Sequence, residues 1–140
     1  MYDSSKNVRE NIKIFHDYIV KNTEYDSEYK PDVSTDDTSS NAYGVLIKGK
    51  GICSGYADAM SLFLEKMHVN NFRISSQTHE WNAVYVEGAW YHIDATWDDP
   101  TNANDPNYVS DKFFMLTHDD LKELTDVEHN FNETIYEEAK

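Results

Sequence analysis

Two stretches of the chain carry apolar residues at helical spacing. In the first, these residues lie four, three and four positions apart: Val8, Ile12, Phe15 and Ile19. This stripe predicts an amphipathic helix from residue 8 to about residue 20, with one face on the core. In the second, a helical pattern follows a cysteine, with apolar positions at Tyr56, Ala57, Met60, Leu64 and Met67. It predicts a helix with Cys53 in its first turn.

Strand patterns follow the second helix. After the turn signal Asn70-Asn71, residues 72–75 form a short candidate strand, and residues 79–86 and 89–96 form two better ones. The dipeptide Glu87-Gly88 between the latter two favours a tight hairpin. Residues 113–116 are a last short candidate strand.

Polar segments separate these elements. Residues 23–41 are rich in Asp, Ser and Thr, contain Pro31 and show no period, which predicts a long surface loop. Residues 97–106 predict a second loop. Thr117 or Asp119 could cap a short helix at residues 121–124, and residues 130–140 are predicted to form an acidic tail.

Size and charge restrict the class of protein. The chain has 140 residues, 39% of them apolar, which suffices for one domain spanning residues 1–140. Its 26 acidic and 12 basic side chains give a net charge of −14, which repels nucleic acid and anionic membranes. No window approaches the roughly 20 apolar residues of a transmembrane helix, and residues 1–9 are polar, unlike a signal peptide. We expect a soluble domain excised from a longer protein, of undefined oligomeric state.

Cys53 is the only cysteine, so neither an intrachain disulfide nor a zinc site built on several thiolates can form. A thiol attacks as its thiolate, and the start of a helix favours negative charge. Gly51 and Gly55 leave backbone room for a substrate carbonyl to approach the sulfur. Because a lone cysteine is more often a small buried apolar residue, a nucleophilic role depends on its partners.

The hairpin supplies those partners. With a two-residue turn, Val86 faces Ala89 and Trp81 faces Asp94. His79 and Asp94 then share one face of the sheet as diagonal neighbours, roughly 7–8 Å apart at the backbone. A three-residue loop would put them on opposite faces. An imidazole held by a carboxylate can serve as general base to a thiol, although an ordinary cross-strand pair has the same pattern.

Alternative uses of these residues remain open. His92 is predicted on the same face as Asp94, so it competes with His79 as the imidazole or could join both in a metal site. We expect no metal, because no local spacing typical of zinc is present. The acidic residues Asp98, Asp99 and Asp105 could suggest a calcium site, but the EF-hand spacing is missing. They therefore predict a solvated turn. Trp81, Trp90 and Trp97 are expected to pack in the core and hairpin, with Trp81 also flanking the site.

The chain contains three sequence blocks in the order Cys, His, Asp. They are Gly51-x-Cys53-x-Gly55-Tyr56-Ala57, His79-x-Trp81-Asn82-x-Val84 and Gly88-x-Trp90-Tyr91-His92-x-Asp94-x-Thr96-Trp97-Asp98-Asp99-Pro100. Together they resemble the bacterial transglutaminase-like domain family. Similarity extends to Asn22-Thr23-x-Tyr25-Asp26, Ala42-Tyr43-Gly44-x-Leu46, Phe113-Phe114 and His129. One departure is Glu80, where the family commonly has a small residue.

The resemblance implies a papain-like α+β fold in which the Cys-bearing helix packs on an antiparallel sheet carrying the His and Asp. It implies a catalytic triad of Cys53, His79 and Asp94 that forms a thioester from an amide of a protein or peptide, without a cofactor. An amine would resolve the thioester by crosslinking and water by hydrolysis, as in a cysteine peptidase. For the oxyanion, the backbone N–H of Cys53 would be joined by Tyr43 or, as a second choice, Gln77.

The resemblance also implies a secreted or cell-surface bacterial setting. A rival hypothesis from another class is a catalytically silent binding or adhesion module with the same fold. That module would contact its partner through the acidic loops around Asp36-Asp37 and Asp98-Asp99. A reactive Cys53 would count against it.

Overall fold

The computed structural model describes residues 1–99, 109–124 and 127–140. The helices and strands follow in the order α1 (Val8–Asn22), β1 (Glu24–Tyr25), β2 (Lys50–Gly51), α2 (Cys53–Lys66), β3 (Asn71–Ser75), β4 (Glu80–Val86), β5 (Ala89–Ile93) and α3 (His118–Glu123). Shorter turns of 3₁₀ helix lie at Thr38–Ser40 and Glu137–Ala139, and a π-helical turn lies at Gly44–Lys48. In the part of the chain described, no helix is long and apolar enough to cross a bilayer.

Helix α1 starts at an asparagine cap. The Glu10 N–H donates to Asn7 Oδ1 at 2.8 Å, which satisfies one of the backbone donors that a helix start leaves unpaired. The predicted stripe is buried at Ile12, Phe15 and Ile19, whereas Val8 is exposed. The helix continues two residues past its predicted end because the extended conformation begins only at Thr23.

The central sheet has the order β3-β4-β5 and is antiparallel. Val86 pairs with Ala89, and the two turn residues Glu87 and Gly88 have φ of 55° and 82°, as a two-residue type I′ hairpin requires. The predicted turn length is therefore confirmed, and so is the predicted register as far as the last pair of the ladder, Asn82 with Ile93.

The strand ends differ from the prediction. Strand β5 stops at Ile93, three residues before the predicted end, because the chain turns at Asp94. The Trp97 N–H donates to Asp94 Oδ1 at 3.1 Å and the Asp98 N–H donates to the Asp94 carbonyl at 3.2 Å. A side-chain oxygen that accepts from the backbone a few residues later is typical of such turns.

Both faces of the sheet are covered. One face packs on α1 and α2 through Val84, Val86 and Ile93. The other face packs on the C-terminal part of the chain, where Trp81 and Ala83 meet these residues: Phe113, Leu121 and Ala139. The sheet thus carries the Cys-bearing helix on one side, an α+β arrangement.

A buried asparagine ties α2 to the sheet. Asn82 on β4 is 2% exposed, and its Nδ2 donates to the Ala57 carbonyl and to Ser61 Oγ, each at 3.0 Å. Because a buried amide must keep its hydrogen bonds, this contact fixes the position of the helix along the strand.

The segment from residue 23 to 41 reaches the start of α2. Within it, β1 pairs in parallel with β2, so that Tyr25 lies beside Gly51. The carbonyl of Ser39, which is buried, accepts from the Ile52 N–H at 2.9 Å. These contacts hold the backbone immediately before Cys53.

The predicted strand at residues 113–116 is wrong. The chain there makes a single bridge between His92 and Leu116, and Met115 has φ of 56°, which interrupts extended structure. Helix α3 follows with Thr117 as its cap: Thr117 Oγ1 accepts from the Asp120 N–H and Asp120 Oδ2 accepts from the Thr117 N–H, each at 3.1 Å. This cap selects Thr117 over Asp119 and starts the helix three residues before the predicted range.

The end of the chain is pinned to the sheet by a buried histidine. His92 Nε2–H donates to the Ala139 carbonyl at 2.8 Å, while His92 Nδ1 accepts from Trp81 Nε1–H at 2.9 Å. One ring nitrogen donates and the other accepts, which is the pattern of a neutral imidazole. Residues Glu137–Ala139 of the acidic tail are thereby packed on β5.

Protonation of His92 is expected to destabilise the domain in acid. Burial lowers the pKa of His92 to about 4, despite its bond to the Ala139 carbonyl, whereas an unfolded histidine titrates near 6.5. Neutral His92 therefore contributes fully to the free energy of unfolding above pH 6.5. As the pH falls towards 4, up to roughly 3 kcal/mol of this contribution is lost. Urea unfolding of wild type and His92→Gln at pH 7 and pH 4 would measure it. A loss of stability in acid that is as large in His92→Gln as in wild type would contradict the assignment.

Candidate active site

Cys53 is the first residue of α2 and is half-buried. The two glycines around it are required by packing. A Cβ at Gly51 would lie 2.5 Å from Val45 Cγ2, and one at Gly55 would lie 2.5 Å from the Ser39 carbonyl oxygen. The space predicted for a substrate carbonyl is thus filled by the protein itself at these two positions.

His79 and Asp94 form a buried pair. His79 Nε2 lies 2.5 Å from Asp94 Oδ2, and the two residues are 7% and 3% exposed. His79 ends a turn in which its N–H donates to Ser76 Oγ at 3.1 Å, just before β4 begins. The Trp81 ring stacks on the imidazole, with centroids 5.8 Å apart.

The charges of this pair depend on each other. Burial alone would lower the pKa of His79, but hydrogen bonds and charge interactions with Asp94 and with Cys53 raise it to about 10. Burial would raise the pKa of Asp94, but hydrogen bonds from two histidines, His129 and His79, lower it. At neutral pH this favours an imidazolium between a carboxylate and the sulfur. Because Nε2 of His79 faces Asp94, its Nδ1 is left to face Cys53.

His129 is the second histidine on the carboxylate. Its Nε2 lies 2.6 Å from Asp94 Oδ2, and the residue is 5% exposed. Its ring packs against Trp97, Trp81 and Phe113 at centroid distances of 4.7, 4.9 and 5.2 Å. In the sequence, only family resemblance singled out His129, because no local pattern connects it to Asp94, which lies 35 positions earlier.

The alternatives built on His92 and on the acidic turn are wrong. His92 points to Trp81 and Ala139, so it neither competes with His79 nor joins it and Asp94 in a metal site. Asp98 is 0% exposed and bonded to His16, so it is no part of a solvated turn. Asp105 lies outside the described residues.

A different trio has the composition of a metal site. The ligand atoms of His79, Asp94 and His129 all lie within 4.8 Å of one another. However, Asp94 Oδ2 is 2.5 and 2.6 Å from the two nitrogens, whereas two ligands of a tetrahedral zinc ion stay roughly 3.3 Å apart. These separations are those of hydrogen bonds to a carboxylate.

The predicted flanking residues are distributed unevenly. Trp81 is buried against His79, whereas Gln77 is exposed and Tyr43 is 55% exposed with its ring below the Lys48 ammonium group. Tyr25, which the sequence marked only through family resemblance, lies beside Gly51, two residues before Cys53. Burial and the charge of Cys53 both raise the pKa of Tyr25, whose strand is only two residues long and therefore has no readable pattern.

Glu80, the departure from the family pattern, is paired on the neighbouring strand. Its Oε1 lies 3.7 Å from Arg73 Nε on β3. Burial raises the pKa of Glu80, while the nearby Arg73 opposes that change. The side chain is thus engaged outside the His79–Asp94 contact.

Solved structures with a similar fold are a TGase and a candidate cysteine protease from Cytophaga hutchinsonii. The first aligns with a TM-score of 0.58 and 18% identity over 71% of this chain and 29% of its own. The second aligns with a TM-score of 0.52 and 21% identity over 69% of this chain and 34% of its own. These similarities confirm the papain-like, transglutaminase-like fold.

Curated relatives match a shorter stretch. The kyphoscoliosis peptidases of Mus musculus and Homo sapiens are each 40% identical over 43 residues, which is 29% of this chain and 6% of theirs. The aligned stretch thus spans a small fraction of these relatives. The family model of the transglutaminase-like superfamily matches residues 1–95, which include Cys53, His79 and Asp94. With more than half of its length matched, the chain belongs to the transglutaminase-like superfamily.

Proposed function

We propose that this domain catalyses thiol-dependent acyl transfer from protein or peptide amides. Cys53 is the nucleophile, His79 the general base and acid, and Asp94 the residue that orients His79. The observation that supports this most directly is the buried His79–Asp94 contact of 2.5 Å, next to a half-buried thiol at a helix start. Such an arrangement stabilises a thiolate–imidazolium pair, the reactive form of a cysteine nucleophile.

The reaction proceeds in two stages. The Cys53 thiolate attacks the amide carbonyl, and the backbone N–H of Cys53 donates to the oxyanion. The C–N bond then breaks as the His79 imidazolium protonates the departing amine, leaving a thioester and a neutral imidazole. In the second stage, His79 takes a proton from an incoming amine or water, the new bond forms and the thiolate leaves.

The incoming nucleophile decides the product. An amine gives a crosslink, and water gives deamidation of a glutamine or hydrolysis of a peptide bond. The names of the similar proteins cover both outcomes, since one is a TGase and others are named peptidases. The triad serves either outcome, so the domain's substrates decide between them. Tyr43 and Gln77 stay secondary candidates for contacts to the oxyanion.

The rival binding module is less well supported. It relies on two exposed acidic loops, but Asp98 is fully buried, so that only the loop around Asp36-Asp37 is exposed, and there Asp36 pairs with Lys48. A silent module also has no need for a buried imidazole–carboxylate pair beside its cysteine. An unreactive Cys53 would favour this rival, in which the domain binds a partner without turnover.

Alkylation of Cys53 by iodoacetamide between pH 4 and 9 tests the activated thiol. At pH 6 we expect the alkylation rate of His79→Ala to be lower than that of wild type by a factor of about ten or more. An ordinary thiol of pKa near 8.5 is about 0.3% ionised there, and the lower nucleophilicity of a stabilised thiolate offsets part of that difference. His68→Asn is a matched control, because His68 is exposed and has φ of 57°, which asparagine tolerates. Slow alkylation of wild type, indifferent to His79, would refute the proposal.

A further inference from the structure

Asp94 accepts hydrogen bonds from two imidazoles, and the proposed mechanism uses one of them. Its Oδ2 lies 2.5 Å from His79 Nε2 and 2.6 Å from His129 Nε2, while Oδ1 accepts from the Trp97 N–H at 3.1 Å. We propose that His129 is a positioning residue that holds Asp94 ionised and aligned for His79. This inference rests on the proposed function, in which His79 is the general base.

The surroundings of His129 suit a fixed donor. The residue is buried, and aromatic rings contact its imidazole from three directions, with Phe113 stacked on it and Trp81 and Trp97 edge-on. A ring packed in this way has little freedom to turn. The direction of its Nε2 towards Asp94 is therefore set by packing, to which the His79 ring also contributes edge-on at a centroid distance of 5.2 Å.

The hydrogen bond from His129 matters because Asp94 is cut off from water. A buried carboxylate is costly unless N–H donors replace its hydration. Without the hydrogen bond from His129, the neutral form of the His79–Asp94 pair becomes more favourable. The proton of the His79 imidazolium then moves towards Asp94. The imidazolium then loses its counter-ion, and the Cys53 thiolate loses the cation that stabilises it.

The titratable groups around this carboxylate form a short series. His79 and His129 contact Asp94 directly, and Cys53 lies beyond His79. On the other side, His92 lies behind Trp81 and interacts with the charge of His129. In agreement with the geometry, the hydrogen bonds from His129 and His79 lower the pKa of Asp94 against the effect of burial.

Two substitutions separate hydrogen bonding from packing. His129→Gln keeps an N–H donor near the position of Nε2, whereas His129→Met keeps a similar size without a donor. Histidine ring resonances in NMR spectra, followed against pH, report the titration of His79. We expect His129→Met to lower the midpoint of His79 by about one pH unit or more and to slow alkylation of Cys53 at pH 6 several-fold. His129→Gln should restore most of both.

Three results would overturn the inference. The first is a titration midpoint of His79 that is unchanged in His129→Met. The second is an equal fall of the midpoint and of the alkylation rate in the Met and Gln variants, which would mean that the ring of His129 contributes only packing. If His129→Met does not fold, His129→Asn, whose amide is too short to reach Asp94, gives the same comparison, and a midpoint equal to that of wild type is the third. The NMR midpoint decides the role of His129 even if wild-type Cys53 alkylates slowly and the proposed function fails.

Discussion

Replacing Cys53 by alanine is expected to lower acyl transfer from amides by a factor of about 10⁴ or more. Removing the nucleophile of a triad costs on this scale, because only the contributions of substrate binding and oxyanion contacts remain. Without the sulfur, no thioester can form, so that neither an amine nor water has an intermediate to attack. The expected loss is the same for crosslinking and for hydrolysis.

Hydroxylamine provides a single measurement for both outcomes. It is a strong nucleophile that converts a thioester to a hydroxamate, which can be quantified together with the released ammonia on a glutamine-containing protein. Ser54→Ala, at the next position of the same helical turn, is the matched control and should keep the wild-type rate. Hydroxamate formation by the Cys53→Ala variant at the wild-type rate would rule out the thioester mechanism.

The largest expected loss of stability follows from replacing Asp98 by alanine, at about 3–5 kcal/mol. Asp98 is 0% exposed and accepts from His16 Nε2 at 2.8 Å, from the Phe113 N–H at 2.8 Å and from Ser110 Oγ at 3.1 Å. Burial raises the pKa of Asp98 against the effect of His16, so the carboxylate is not itself a large source of stability. Its removal is costly because it leaves buried donors without a partner.

A loss of this size is a large fraction of the 5–15 kcal/mol that holds a typical domain folded. Differential scanning calorimetry should show a melting temperature lower by roughly 10–20 °C. Asp17→Ala is the matched control: Asp17 contacts the other nitrogen of the same imidazole at 2.9 Å, but its side chain is 39% exposed. We expect that variant to lose under about 1 kcal/mol. Equal stability of the two variants would refute the assignment.

The register of the hairpin was predictable because it depends on local chemistry. Glu87-Gly88 forms a two-residue turn in which both residues have positive φ, and the period of two along each strand then determines which side chains share a face. His79 and Asp94 could be placed together on that basis alone. Helix α1 was predictable for a similar reason, since a periodic apolar stripe is a local signal.

The strand ends and the role of Asp98 were not predictable in this way. Strand β5 ends where Asp94 accepts a backbone N–H from Trp97, a choice that competes with continued extension and that no period reveals. Asp98 stands among acidic and polar residues typical of a solvated turn. Its burial depends on His16, which lies 82 positions away on α1.

Spacing along the chain was enough to indicate the class of chemistry that we propose for this protein. The helical pattern placed Cys53 at a helix start, and the hairpin register placed His79 and Asp94 on one face of the sheet. Spacing did not reveal which histidines contact Asp94. His92, two residues away, is held by Trp81 and Ala139, while His129, 35 residues away, donates to the carboxylate. The physical reason is that periodicity fixes the face on which a side chain lies, whereas its partner is chosen by packing between segments that are distant in the chain.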